Sequence, residues 1–96
     1  MSPADVPRVV FVDDEDHILK SLGRVLRLES YEKVFFSSPF AAIEWIRLNP
    51  FSLVVSDYRM QEMTGLDLLK IVREVRPEAT RVILSGYAEE NLVDQA

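Results

Sequence analysis

Three acids and one hydroxyl stand where the chain changes its periodicity. Asp13 and Asp14 follow the apolar run Arg8-Val9-Val10-Phe11-Val12, Asp57 ends Leu53-Val54-Val55-Ser56, and Ser85 follows Arg81-Val82-Ile83-Leu84. Carboxylates held together repel: two unit charges ~4 Å apart cost about 4 kcal/mol at an effective dielectric of about 20. Protons or a cation must relieve that repulsion. An all-oxygen acidic site suits a hard divalent ion, and Mg²⁺ typically keeps waters and binds through one or two carboxylates plus a phosphate. Such an ion also neutralises an incoming phosphoryl group, so a carboxylate beside it can act as nucleophile and form an acyl phosphate. Each acid taken singly has a plainer use, Asp13, Asp14 and Asp16 as helix caps and Asp57 as a turn residue. Their joint placement at strand ends is what argues for a site.

The elements that must position these groups alternate. The run at 8–12 is of the kind shown by a strand buried on both faces. Ile18, Leu22, Val25 and Leu26 then recur at helical spacing, behind acids that suit the positive end of a helix dipole. Lys33-Val34-Phe35-Phe36 reads as a second strand. Ser38-Pro39 opens a helix, with Ser as N-cap and Pro at the first helical position. Phe40, Ile43 and Ile46 line its buried side, and Asn49-Pro50 stops it. A third strand at 53–55 reaches Asp57, followed by a loop from Tyr58 to Thr64-Gly65. Leu68, Leu69, Val72 and Val75 mark a third helix, closed by Pro77. Residues 81–84 form a fourth strand, Ser85-Gly86-Tyr87 a turn, and a helix is expected from Ala88 onward.

Strands alternating with helices of roughly ten residues predict an α/β fold, a doubly wound parallel sheet with helices on both faces. Ligands in such sheets gather outside the carboxyl ends of the strands, at the switch point. Asp13, Asp14, Asp57 and Ser85 all fall there.

Composition narrows the function classes. The chain has 96 residues, enough for one domain over 1–96. Its formal charge of −5 speaks against a nucleic-acid or anionic-membrane surface, where a basic patch supplies affinity. No apolar stretch approaches the ~18 residues needed to span a membrane, and residues 1–5 lack the pattern of a secretory signal. With no cysteine, disulfides, thiolate metal sites and Cys nucleophiles are excluded. A cytoplasmic location is the expectation.

The order Phe11-Val12-Asp13-Asp14-Glu15, Val55-Ser56-Asp57-Tyr58-Arg59-Met60, Met63-Thr64-Gly65 and Ile83-Leu84-Ser85-Gly86-Tyr87 resembles the receiver domain of two-component response regulators. The resemblance covers essentially the whole chain, but only about four-fifths of that family's domain, and it implies a flavodoxin-like sheet of strand order 2-1-3-4-5. It makes Asp57 the phosphoacceptor, which attacks a phosphohistidine on a sensor histidine kinase. Asp14 becomes the direct Mg²⁺ ligand and Asp13 the acid that reaches the metal through water. The backbone carbonyl of Arg59 completes the metal shell, and its side chain faces the water that later hydrolyses the acyl phosphate. Ser85 becomes the switch hydroxyl that moves to the phosphoryl oxygen, and Gly86 the small residue beside it.

Two departures stand out. Gln61 occupies a position where the family usually has proline, whose ring pre-sets the loop; glutamine is expected to loosen the loop slightly without touching the chemistry. The resemblance also places the end of this sequence inside the fourth helix, so the fifth strand and helix, with their phosphoryl-pairing lysine, are expected to be missing. Lys20, Lys33 and Lys70 are the lysines present, and none follows the fourth strand to stand in for it. Loss of the fifth strand would leave Val82-Ile83-Leu84 as an exposed apolar edge, so self-association through the fourth strand or fourth helix is expected. A piece of a longer protein, with an output domain beyond residue 96, is the expected origin.

The remaining residues read more plainly. Trp45 is half-buried packing, Met60 and Met63 are loop-to-core contacts, and Arg24, Arg27, Arg73 and Arg76 are solvated charges on polar helix faces. His17 is a poor ligand for a hard cation. Tyr87 either packs or responds to Ser85. The leading function is a phosphorylation-activated switch, not an enzyme beyond its own Mg²⁺-dependent phosphorylation and dephosphorylation. The alternative is a pseudo-receiver that docks or dimerises without phosphate. A phosphatase with an aspartyl nucleophile would want a second acid where Arg59 stands, and a mononucleotide site would want a glycine-rich loop after the first strand.

Overall fold

A computed structural model describes residues 7–84. In chain order they form β1 (Arg8–Val12), α1 (Asp16–Val25), β2 (Glu32–Phe36), α2 (Pro39–Leu48), β3 (Leu53–Asp57), α3 (Gly65–Val75) and β4 (Thr80–Leu84). The strands pair in parallel in the order β2-β1-β3-β4. This is the doubly wound, flavodoxin-like arrangement expected. The turn at Ser85-Gly86-Tyr87 and the helix from Ala88 lie outside the described residues.

Pleating sends alternate residues of each strand to opposite faces, and the two faces are covered differently. Val10, Val12, Val54 and Ile83 point toward α2 and α3, where Ile43, Ile46, Leu68 and Val72 close a single buried cluster. Val9 and Phe11 point the other way, toward Leu19 of α1, with Leu22, Leu26 and Phe35 packed partly buried around them. The rings of Phe11 and Phe35 stack with centroids 5.2 Å apart. Burying each such side chain contributes roughly 1.5–3 kcal/mol.

Two residues expected on buried stripes are not there. Val25 is 77% exposed and Phe40 is 51% exposed. At 100° per residue, Val25 sits about 120° around the helix from Leu19, and Phe40 about 120° from Ile46. Each therefore points past the sheet; Leu19 and Ala42 take the buried places instead.

Helix ends follow their local chemistry. The Ser38 hydroxyl accepts from the Ala41 N–H at 3.3 Å, with Pro39 in the first helical position. Thr64 and Asp67 form a reciprocal capping box on α3: the Thr64 hydroxyl accepts from Asp67 N at 3.1 Å, and the Asp67 carboxylate accepts from Thr64 N at 3.3 Å. The carboxyl end of α2 is closed from outside. Asn49 Nδ2 donates to Trp45 O at 2.9 Å, while Arg76 donates to Ile46 O at 2.9 Å and to Arg47 O at 3.4 Å. Arg76 is thus a clamp on the free carbonyls and negative dipole end of α2, not the solvated charge its spacing suggests. Trp45 is half-buried as expected, tilted against Phe36 and Phe51. Met60 and Met63 pack against the larger core cluster.

Val82 is 36% exposed and Leu84 48% exposed, while Ile83 between them is buried. Among the described residues β4 is the outer strand beyond β3, and its α1-side residues are the uncovered ones.

Candidate functional site

The parallel register decides which side chains meet. Val12 of β1 pairs with Ser56 of β3, so the next residues, Asp13 and Asp57, emerge side by side at the carboxyl edge. Backbone bonds continue past the strand ends: Asp13 N donates to Phe36 O at 3.1 Å, and Tyr58 N to Leu84 O at 3.2 Å. The acid-bearing turns are therefore held by the neighbouring strands. Each of Asp13, Asp14 and Asp57 offers a carboxylate oxygen, and the three lie within 4.8 Å of one another. All three are half-buried.

Like charges meet here. Burial pushes the Asp57 carboxyl above its ordinary value, and the negative charge of Asp13 adds to the rise, against a hydrogen bond from the Tyr58 backbone. Burial likewise raises Asp13, partly offset by the backbone N–H of Glu15, while Asp14 and Glu15 repel its charge. That Glu15 N–H donates to Asp13 Oδ1 at 2.9 Å. The ionised cluster is thus held together against its own repulsion.

The donor set fits a small hard cation. Six-fold coordination at ~2.1 Å places neighbouring ligand oxygens about 3 Å apart and opposite ones about 4 Å apart. One oxygen from each of the three carboxylates lies within 4.8 Å of the others, so modest side-chain shifts would bring all three onto one ion.

Gly65 sits where the site has no room. Its N–H donates to Tyr58 O at 2.8 Å. A Cβ on residue 65 would collide with the Asp57 backbone oxygen and come within 2.8 Å of Ile83 Cδ1. The buried Ser56 hydroxyl donates to the same Asp57 oxygen at 2.9 Å. Gly65 lets α3 start directly against the acid-bearing end of β3.

Gln61, expected to loosen its loop without touching the chemistry, makes a contact at the acidic cluster: its backbone N–H donates to Asp14 Oδ2 at 3.0 Å. Proline could not make this bond, because it has no N–H. Hydropathy patterns carry no signal for a backbone donor; the departure from proline at 61 is the one feature of the sequence that marks the position. Gly65, next to Thr64, is the other residue whose role periodicity does not disclose.

Arg59 is exposed, two residues past Asp57. His17 is exposed, 3.9 Å from Glu15 and not among the three clustered acids. Lys33 donates to Glu29 O at 2.7 Å and Tyr31 O at 3.1 Å, ahead of and at the amino end of β2, while Lys20 and Lys70 lie exposed on α1 and α3. Ser85 and Gly86 lie outside the described residues.

A match to the response regulator receiver domain extends over residues 9–96. The chain belongs to this family. Receiver domains are phosphorylation-regulated signalling modules, and the relatives agree in kind. The photosynthetic apparatus regulatory protein RegA of Rhodovulum sulfidophilum is 31% identical over 81 residues, covering 84% of this chain and 44% of RegA. The hydrogenase transcriptional regulatory protein HoxA of Cupriavidus necator is 37% identical over 81 residues, covering 84% of this chain and 17% of HoxA. This receiver domain therefore spans less than half of either regulator. Among solved structures, a CheY-like receiver from Methanospirillum hungatei superposes with TM-score 0.83 at 30% identity, over 93% of this chain and 72% of that one. The response regulator TrrA from Thermotoga maritima, solved in complex with Mg²⁺ and BeF, superposes with TM-score 0.82 at 25% identity, over 94% of this chain and 80% of that one.

Proposed function

We propose that this receiver domain accepts a phosphoryl group on Asp57 from a sensor histidine kinase and passes the change to an output domain or partner. The observation that carries the reading is the cluster itself, three carboxylates from the ends of β1 and β3 within 4.8 Å. Asp57 is the acceptor because it terminates β3 beside Asp13 in register, with its backbone fixed by the bond from Tyr58 N to Leu84 O. In the transfer, an Asp57 carboxylate oxygen forms a bond to phosphorus as the phosphorus–nitrogen bond to the donor imidazole breaks. The bonding pair leaves on that nitrogen.

Asp13, Asp14 and Asp57, with the Arg59 backbone carbonyl, would hold Mg²⁺, which when bound supplies positive charge against the phosphoryl oxygens. Support for that ion comes from the donor chemistry of the cluster and from the Mg²⁺–BeF complex of TrrA. Asp13 and Asp14 also keep Asp57 in a field that disfavours negative charge, and a phosphoryl group would add more of it, so the transfer would need the cation beside it. Ser85 is the hydroxyl that answers phosphorylation, one residue beyond Leu84, the register partner of Asp57. The module is a switch rather than an independent enzyme, works in the cytoplasm, and self-associates through β4 or the segment after it.

Intact-mass measurement after incubation with Mg²⁺ and acetyl phosphate tests this reading. The wild type is expected to gain one phosphoryl group and Asp57→Asn none. An unmodified wild type in a chain extended through the next strand would favour the non-phosphorylated docking module instead.

A further inference from the structure

We propose that the backbone N–H of Gln61 is a positioning group for the Asp14 carboxylate, so that having a residue other than proline at 61 sets divalent-cation affinity in this chain. The inference rests on the reading of Asp14 as a metal-binding acid. Gln61 N and Asp14 Oδ2 are 3.0 Å apart across 47 residues of sequence. The bond ties the loop after β3 to the loop after β1. Asp13 has a local donor, the Glu15 N–H; among the described residues Asp14 receives its side-chain hydrogen bond from Gln61.

The physical need for such a tie is plain. Asp14 stands beside two like charges, Asp13 and Asp57, and a half-buried carboxylate free to rotate would turn away from them. An N–H on one oxygen holds the group inward. A carboxylate has two oxygens and about four lone-pair sites, so Oδ2 can stay with Gln61 while Oδ1 remains available to a cation. Partners of this kind, which orient a ligand without touching the metal, typically change metal affinity by about 10–100-fold when removed. Because the donor belongs to the backbone, any residue but proline supplies it.

The experiment is an NMR titration of the ¹⁵N-labelled chain with MgCl₂, reading the dissociation constant from amide shifts. Gln61→Pro is expected to bind about tenfold more weakly than wild type, and Gln61→Ala, which restores the N–H, to recover the affinity. Equal affinities in wild type and Gln61→Pro overturn the inference alone. No Mg²⁺ binding by wild type overturns the metal reading and this inference with it. Amide exchange keeps the test independent of how proline affects the loop. In Asp14→Ala, exchange at Gln61 is expected to accelerate at least about tenfold. The Gly65 N–H, bonded to Tyr58 O at 2.8 Å, should keep its protection. Unchanged exchange at Gln61 overturns the inference.

Discussion

The two edges of the sheet treat charge in opposite ways. At the amino edge, charge is answered from within the chain. Arg8 and Glu32, register partners on β1 and β2, form an ion pair at 2.8 Å, and Arg8 also donates to Pro50 O. Arg81 donates to Ala79 O, and Arg76 closes the carboxyl end of α2. At the carboxyl edge, three carboxylates face one another, and two of them are pushed above their ordinary range. One edge pairs its charges. The other gathers like charges, a repulsion that a bound cation would relieve.

The comparison can be broken most severely at Gly65. Gly65→Ala forces a methyl group against the Asp57 backbone and Ile83, and is expected to destabilise by about 2–3 kcal/mol, as overpacking does. Urea unfolding would read it as a lower midpoint. Next comes Arg76→Ala, which removes donors from two carbonyls at the end of α2 and is expected to cost about 1–2 kcal/mol.

Asp57→Asn should work in the other direction, raising Tm by a few degrees at neutral pH by removing a disfavoured charge. The sign of its pH dependence follows from the raised folded-state values of Asp57 and Asp13. A carboxyl that holds its proton more tightly when folded contributes its full stability below the unfolded value. That contribution is lost as pH rises through the folded value. The gap in Tm between Asp57→Asn and wild type should therefore widen from acid to neutral pH, and saturating Mg²⁺ should narrow it. The smallest effect is expected at the amino edge: a double-mutant cycle on Arg8 and Glu32, both partly exposed, should couple by under about 1 kcal/mol.

Much of this was legible in the residues. Val9 to Val12 form an unbroken apolar run because a central parallel strand is buried on both faces, and Ser38-Pro39 and Asn49-Pro50 punctuate α2 at both ends. The acids were legible because the carboxyl edge is where such sheets place chemistry. Val25 and Phe40 misled because apolar character does not state a side chain's angle around its helix. Arg76 was hidden because its partners are carbonyls on α2, some 30 residues away. Gln61 was hidden for a stricter reason: every residue but proline carries an N–H, so no side chain announces which one will be used. Thr64 and Asp67, by contrast, carry the spacing of a capping box in plain view.

The central place of β1 has a consequence in time. Asp13 and Asp57 sit on neighbouring strands, yet 43 residues lie between them, and both crossovers must close before they meet. Parallel pairings over such separations form late and slowly. The barrier to folding is then crossed before the acids confront one another, and their repulsion should enter on the native side of that barrier. In stopped-flow kinetics, Asp57→Asn is expected to leave the refolding rate nearly unchanged and to slow unfolding. The like charges gathered at this edge would then also shorten the lifetime of the folded form until a cation settles there.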